Sequence, residues 1–268
     1  MQRITLIGGG NMACALAAGL RKAEPALEIN VVEPHPEQAA RIAPLCRQVV
    51  AQSERALIEG ADAVILAVKP QVLPEACAQL KPHLNGELII SIAAGTPIAR
   101  IAQWLGGHNR IVRTMPNTPA LVGQAMTGLF APSHLDAADV AIATRLLEAC
   151  GRVLRVDDEA RLDAVTAVSG SGPAYVFHWL ESMLAAAESV GFTPEEAHEL
   201  VMTTLRGSLT LAENSGESPA TLRERVTSKG GTTEAALAVL AQHDRSAAYF
   251  AAVQAALRRA RDRASAAP

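Results

Sequence analysis

An open, mostly parallel, doubly wound α/β sheet followed by an all-helical domain is the fold class that three observations predict. Short β-branched runs alternate with helical stretches up to about residue 156. A glycine-rich turn, Gly8-Gly9-Gly10, joins the first run to the first helix. From Asp157 onward the strand-like runs stop. Alternation at this spacing means βαβ units, and therefore parallel strands with helices on both faces. The division implied is 1–157 for the sheet domain and 158–268 for the helical one.

Taken in order, the runs are Ile4–Ile7, Ile29–Val32, Val49–Val50, Ala63–Val68, Leu88–Ile92, Ile111–Thr114, Met126–Phe130 and Val153–Val156. Several of the stretches between them open with polar residues or proline and carry helical periodicity, as in Asp136–Cys150. The last two runs are joined differently and are the candidates for an antiparallel edge. In the second half, Leu180, Met183, Leu184, Ala187 and Val190 recur at helical spacing and give one apolar face, with Gly191 as the stop. Thr193-Pro194-Glu195-Glu196 then supplies an N-cap, a proline at the first helical position and a capping-box glutamate. Asn214–Pro219 reads as a turn, and two or three helices follow to about Arg263.

Composition sets the outer limits. With 268 residues, 49% of them hydrophobic, the chain can bury a core without a metal or disulfide. No run is long enough to span a bilayer, and a net charge of −3 argues against nucleic acid as a main partner. Ile4 opens a strand with no charged leader before it, and the four cysteines lack any CxxC pair, so a cytoplasmic protein with reduced core thiols is expected. Alanine is abundant and aromatics reach only 3%, which predicts close helix packing and a subunit interface in the helical half.

The first strand runs straight into Gly8-Gly9-Gly10-Asn11-Met12-Ala13, the G-x-G-x-x-A pattern of a Rossmann-type dinucleotide turn. Gly8 permits the tight turn, Gly10 lets a pyrophosphate approach, and Ala13 lets helix and strand close up. Glu33 ends the second strand, where an acid accepts hydrogen bonds from a ribose 2′-OH and repels a 2′-phosphate. That favours NADH over NADPH. Two further strand ends, Lys69-Pro70-Gln71 and Ala93-Ala94-Gly95, fall where a dinucleotide would pass.

The helical half carries Ser228-Lys229-Gly230-Gly231-Thr232-Thr233-Glu234 ahead of an apolar helix. Glycines and hydroxyls at a helix start make a small anion cradle, or else merely an N-cap at Thr233 after a loop. Gly172-Pro173 predicts a break in its helical stretch. The seven histidines form no zinc pattern, and no nucleophile elbow or P-loop occurs, so no metal site is expected. Without those groups the chemistry is the cofactor's own, which points to hydride transfer.

These segments together resemble the pyrroline-5-carboxylate reductase family over nearly the whole chain. The resemblance rests on the Gly8–Ala13 turn, on Ala67–Gln71, Ser91–Gly95 and Arg113–Pro119, and above all on Asp163–Thr166 with Ser169–Tyr175 and on Val226–Thr233. It implies reduction of 1-pyrroline-5-carboxylate to L-proline with NADPH or NADH. It further implies cofactor contacts from Ile7, Gly8, Gly9, Gly10, Asn11 and Met12, from Ala67, Val68, Lys69 and Pro70, and from Ile92, Ala93 and Ala94, with Asn117 near the nicotinamide. Substrate contacts carry over to Glu159, Thr166, Thr232 and Thr233, with Ser228, Gly230 and Gly231 shaping the loop. Family members pair through the helical domain, and many assemble as five dimers. Their late glycine loop reaches the cofactor of the partner subunit.

Three positions depart from the family. Lys229 replaces a frequent proline, Ser53 or Glu54 replaces the asparagine that meets the adenosine ribose, and Glu33 replaces a small or polar residue. Thr233 is the candidate to hydrogen-bond the substrate's ring nitrogen. The alternatives are a 3-hydroxyacid dehydrogenase or another imine reductase, and a non-catalytic NAD sensor. Lys229, the only lysine after Lys81, sits in a glycine loop rather than on a helix as a dehydrogenase lysine would.

Overall fold

The computed structural model describes residues 1–266. The strands are β1 (Arg3–Ile7), β2 (Glu28–Val32), β3 (Gln48–Val50), β4 (Ala63–Leu66), β5 (Leu88–Ser91), β6 (Ile111–Met115), β7 (Ala125–Phe130) and β8 (Gly151–Val156). Between them run α1 (Asn11–Ala23), α2 (Pro36–Ile42), α3 (Arg55–Ile58), α4 (Leu73–Leu80), α5 (Ile98–Trp104) and α6 (Ala137–Glu148). The helices that follow β8 are α7 (Arg161–Val165), α8 (Gly172–Ser189), α9 (Pro194–Ser215), α10 (Pro219–Arg225), α11 (Thr232–Gln242) and α12 (Arg245–Ala266).

All eight strands form one sheet in the order β3-β2-β1-β4-β5-β6-β7-β8. The strand order turns around at β1, and the glycine turn follows that strand, so a crevice opens where such sheets bind ligands. Pairing is parallel except between β6 and β7. The last two runs do form an antiparallel edge on an otherwise parallel sheet. β7 turns back against β6, and β8 runs parallel to β7. The reason is α6, a twelve-residue crossover whose first turn is capped by the Asp136 side chain. A helical crossover returns the chain in the same direction, whereas a tight turn would reverse it.

Strand side chains alternate between two buried layers. Ile4, Leu6, Ile29, Ile65 and Ile90 face one, with Leu16 and Leu20 of α1 and Leu146 of α6. Ile7, Val32, Val64, Leu66 and Ile89 face the other, with Leu73, Cys77 and Leu80 of α4 and Ile101 of α5. All four cysteines are free. Burial pushes the thiols of Cys77 and Cys150 up to about 12 and about 11, so both stay protonated and inert.

The chain divides into two compact units, one of Met1–Pro173 joined by the chain from Ala255 onward, the other Ala174–Gln254. Strand content ends at Val156, yet α7 still belongs to the first unit because it lies directly on β7. A Cβ at Gly128 would come within 2.8 Å of Val165 Cγ1 and 3.0 Å of Leu162 Cδ2. Between α7 and α8 the backbone widens into a π-turn at Thr166–Gly170, with the Ser171 N–H bonded to the Thr166 carbonyl at 2.8 Å. This is the break that Gly172-Pro173 predicts, placed a few residues earlier. In the second unit, Thr193 and Glu196 form the expected capping box, and Gly216 ends α9 in the left-handed region.

Candidate active site

A cleft of about 550 Å³ lies at the carboxyl ends of β1, β2 and β4, lined among others by Ile7, Gly8, Gly10, Glu33, His35, Gln38, Ser53, Ala67, Val68 and Lys69. A second cleft, of about 770 Å³, sits at the opposite ends of those strands, around Met1, Arg3, Glu24 and Asp62. Ligands of open α/β sheets bind at the carboxyl ends, so the first is the relevant one.

The glycine turn suits a close-fitting ligand. Gly8 has φ +107°, and a Cβ there would meet the Ala67 carbonyl oxygen at 2.8 Å and Val68 Cγ1 at 2.9 Å. At Gly10 a Cβ would meet only Gln38 Oε1, at 3.8 Å, so the backbone lies open to the cleft. Gly10 is also the N-cap of α1, with no side chain over the first-turn N–H groups. Anionic phosphates are at home there.

Glu33 is only 5% exposed. Its Oε2 accepts the Gly9 N–H at 2.7 Å and its Oε1 the His35 N–H at 2.8 Å. The strand-end acid thus holds the glycine turn in shape while still lining the cleft. Asn11 meets the Arg41 guanidinium at 2.9 Å through Oδ1, and a second Arg41 nitrogen lies 3.4 Å from the Gly9 carbonyl. Gln38 and Arg41 are functional candidates that sequence reading passes over. They follow β2 without a fixed motif, and only the bend into α2 brings them to the turn.

Farther along the sheet, Asn117 is a hub. Its amide nitrogen donates to the carbonyl of Ser169 at 3.1 Å and to its hydroxyl at 3.2 Å, and its Oδ1 accepts the Met126 N–H at 3.0 Å. It therefore fixes the π-turn to the start of β7. Thr166 donates its hydroxyl to the Leu162 carbonyl at 2.8 Å. Glu159 uses Oε1 twice, accepting from the Ile98 N–H at 2.8 Å and from Arg113 at 3.0 Å. Arg113, 4% exposed, also lies 3.7 Å from Asp163. Burial raises the Asp163 carboxyl above its ordinary range, against the pull of Arg113 and Arg261. Ile92, Ala93 and Ala94 follow β5, with Ala93 buried.

The second unit holds the glycine-threonine loop. Gly230 has φ +72°, and Gly231 is the N-cap of α11, two residues before the Thr233 cap that the sequence suggested. Glu234 folds back so that its Oε2 accepts the Gly230 N–H at 2.6 Å. One donor of the expected cradle is therefore already used. The amides of Thr232, Thr233 and Glu234 lie in the first helical turn, where an intrahelical acceptor is lacking.

A doubly wound sheet with a glycine turn, a strand-end acid and a cleft at the switch point defines a dinucleotide-binding α/β protein, here with an added helical domain. Two family descriptions match this chain: NADP oxidoreductase, coenzyme F420-dependent, over residues 3–95, and pyrroline-5-carboxylate reductase dimerisation over residues 159–263. The pyrroline-5-carboxylate reductase of Pseudomonas aeruginosa is 47% identical, covering 88% of this chain and 87% of its own length. A solved structure of such a reductase from Coxiella burnetii has a TM-score of 0.89 at 38% identity, covering 97% of both chains. One from Plasmodium falciparum, with NADP bound, has a TM-score of 0.87 at 28% identity and covers 98% of both. The chain belongs to the pyrroline-5-carboxylate reductase family.

Proposed function

We propose that this protein reduces 1-pyrroline-5-carboxylate to L-proline with a reduced nicotinamide dinucleotide, the last step of proline biosynthesis. The observation that carries the reading is 47% identity to a reductase of that name over 88% of the chain, joined to a cleft whose glycine turn accepts a dinucleotide. Ile7–Met12, Glu33, Ser53 and Ala67–Pro70 hold the adenosine and phosphate portions, and Ile92–Ala94 and Asn117 border the nicotinamide. When bound, the reduced nicotinamide supplies the hydride for the imine carbon.

The chain's own residues bind and orient. The loop Ser228–Thr233, with the first-turn amides of α11, holds the substrate carboxylate, an anion at a helix N-terminus. Thr233 hydrogen-bonds the ring nitrogen, and Glu159 and Thr166 complete the substrate contacts, Glu159 through the oxygen that Arg113 leaves free. A cyclic imine nitrogen is basic enough to arrive protonated, so fixing its position is the main catalytic demand. The stretch 158–268 serves for substrate binding and dimerisation, and the working form is a homo-oligomer, a dimer or a decamer of five dimers, in the cytoplasm. L-proline is the product released.

Oxidation of NADH or NADPH, followed at the nicotinamide absorbance on adding pyrroline-5-carboxylate, tests the reading directly. Turnover with this imine, and none with 3-hydroxyacids under reverse conditions, is the expected result. Coenzyme binding without any turnover would instead point to the sensor.

A further inference from the structure

We infer that Glu33 is a fixed selector against a 2′-phosphate, so that this reductase prefers NADH to NADPH. The inference rests on the reductase reading and deepens it by naming the coenzyme.

An acidic side chain at the end of β2 excludes a phosphorylated ribose only if it cannot swing away. Here it is boxed in. Its two oxygens accept the Gly9 and His35 N–H groups at 2.7 and 2.8 Å, and it is 5% exposed. Its stem packs against the turn so closely that a Cβ on Gly9 would lie 3.1 Å from Glu33 Cγ and 3.3 Å from Glu33 Cβ. Rotation outward would strand a donor on buried Gly9, which is unfavourable. The carboxylate therefore stays beside the cleft, where each oxygen keeps a lone pair for a ribose hydroxyl but repels a phosphate dianion.

The surroundings offer little to offset that charge. Near this strand end the cleft is lined by Pro34, Gln38, Ala51 and Ser53, with His35 the basic lining residue on this side. Arg41, which would be the natural phosphate clamp, has its guanidinium directed to Asn11 Oδ1 and the Gly9 carbonyl. Lys69 follows β4, on the other side of β1 in the sheet.

The test compares NADH and NADPH by kcat/KM in proline formation and, without substrate, by nicotinamide fluorescence on binding. The wild-type protein is expected to favour NADH by about tenfold or more in both measurements. Glu33→Ser should cut that ratio by about tenfold or more, Glu33→Gln by less, and Arg41→Ala should weaken both coenzymes alike. Equal or better use of NADPH by the wild type overturns the inference. So does an unchanged ratio in Glu33→Ser, or a loss confined to NADPH in Arg41→Ala. Failure of both coenzymes to bind would take away the reductase reading itself, a result distinct from either.

Discussion

The two compact units treat apolar side chains in opposite ways. In the first, Ile4, Leu6, Leu16, Leu20, Ile65 and Leu66 are shut away from solvent, as a sheet covered on both faces requires. In the second, α8, α10 and α11 contain no buried residue, and α9 buries only Ala197 and Val201. Val190 is 73% exposed and Phe250 70%, and Phe177, Leu209 and Leu211 also face solvent. A lone chain does not leave that much apolar surface in water. The first unit is thus specified by its own sequence, whereas the second is written for a partner, in keeping with the matched dimerisation family.

The sharpest way to break this contrast is to charge the exposed face. Phe177→Asp with Leu209→Asp should leave a monomer at micromolar concentration in sedimentation velocity and lower turnover by more than about a hundredfold. The sheet unit should keep its share of the circular dichroism signal. If the double variant still sediments as the wild type does, the face has another use.

Damage confined to the first unit comes next. Gly8→Val places a branched side chain against the Ala67 carbonyl at a positive φ. Coenzyme affinity should fall by about a hundredfold, close to 2.7 kcal/mol, with assembly size unchanged. A smaller effect should come from the second unit. Thr233→Ala should lower kcat/KM by about tenfold while coenzyme binding holds, as loss of one hydrogen-bond donor implies. Full retained activity would remove Thr233 from the site.

The smallest predicted change concerns Asp163. Its folded-state carboxyl is raised by burial, so its favourable contribution is present below the unfolded value and lost as pH rises through the folded one. Asp163→Asn should therefore melt no lower than the wild type at pH 7. The two melting curves should converge at pH 3, where both side chains are neutral. A variant markedly less stable at pH 7 would show that the ion pair with Arg113 outweighs the cost of burial.

Much of this was legible in the sequence, and what was not shares a cause. β-branched runs and the glycine turn placed β1, α1 and the sheet, because strand period and turn chemistry are local. The Thr193 capping box was equally local and stands where expected. That β8 runs parallel to β7 was not, since it depends on how α6 crosses the sheet. Glu33 was found as a strand-end acid, but its grip on Gly9 spans 24 residues and appears only in the folded chain. Asn117 joins two segments 52 residues apart, Glu159 and Arg113 two that lie 46 apart, and no periodicity announces either. Glu234 was missed as well: with the cap expected at Thr233, only the folded chain puts it three residues after a glycine cap, the usual place for a carboxylate that turns back on the loop.

Gly128 on β7 has no side chain and lines neither cleft, yet the missing methyl group there decides how low α7 can sit. A single added carbon would have to displace Leu162 and Val165, and Glu159 and Thr166 flank the same short segment. The spacing of polar groups in this part of the molecule is thus governed from beneath by an atom that is not there. Variation at a silent apolar position would retune the enzyme before any of its reactive groups had changed.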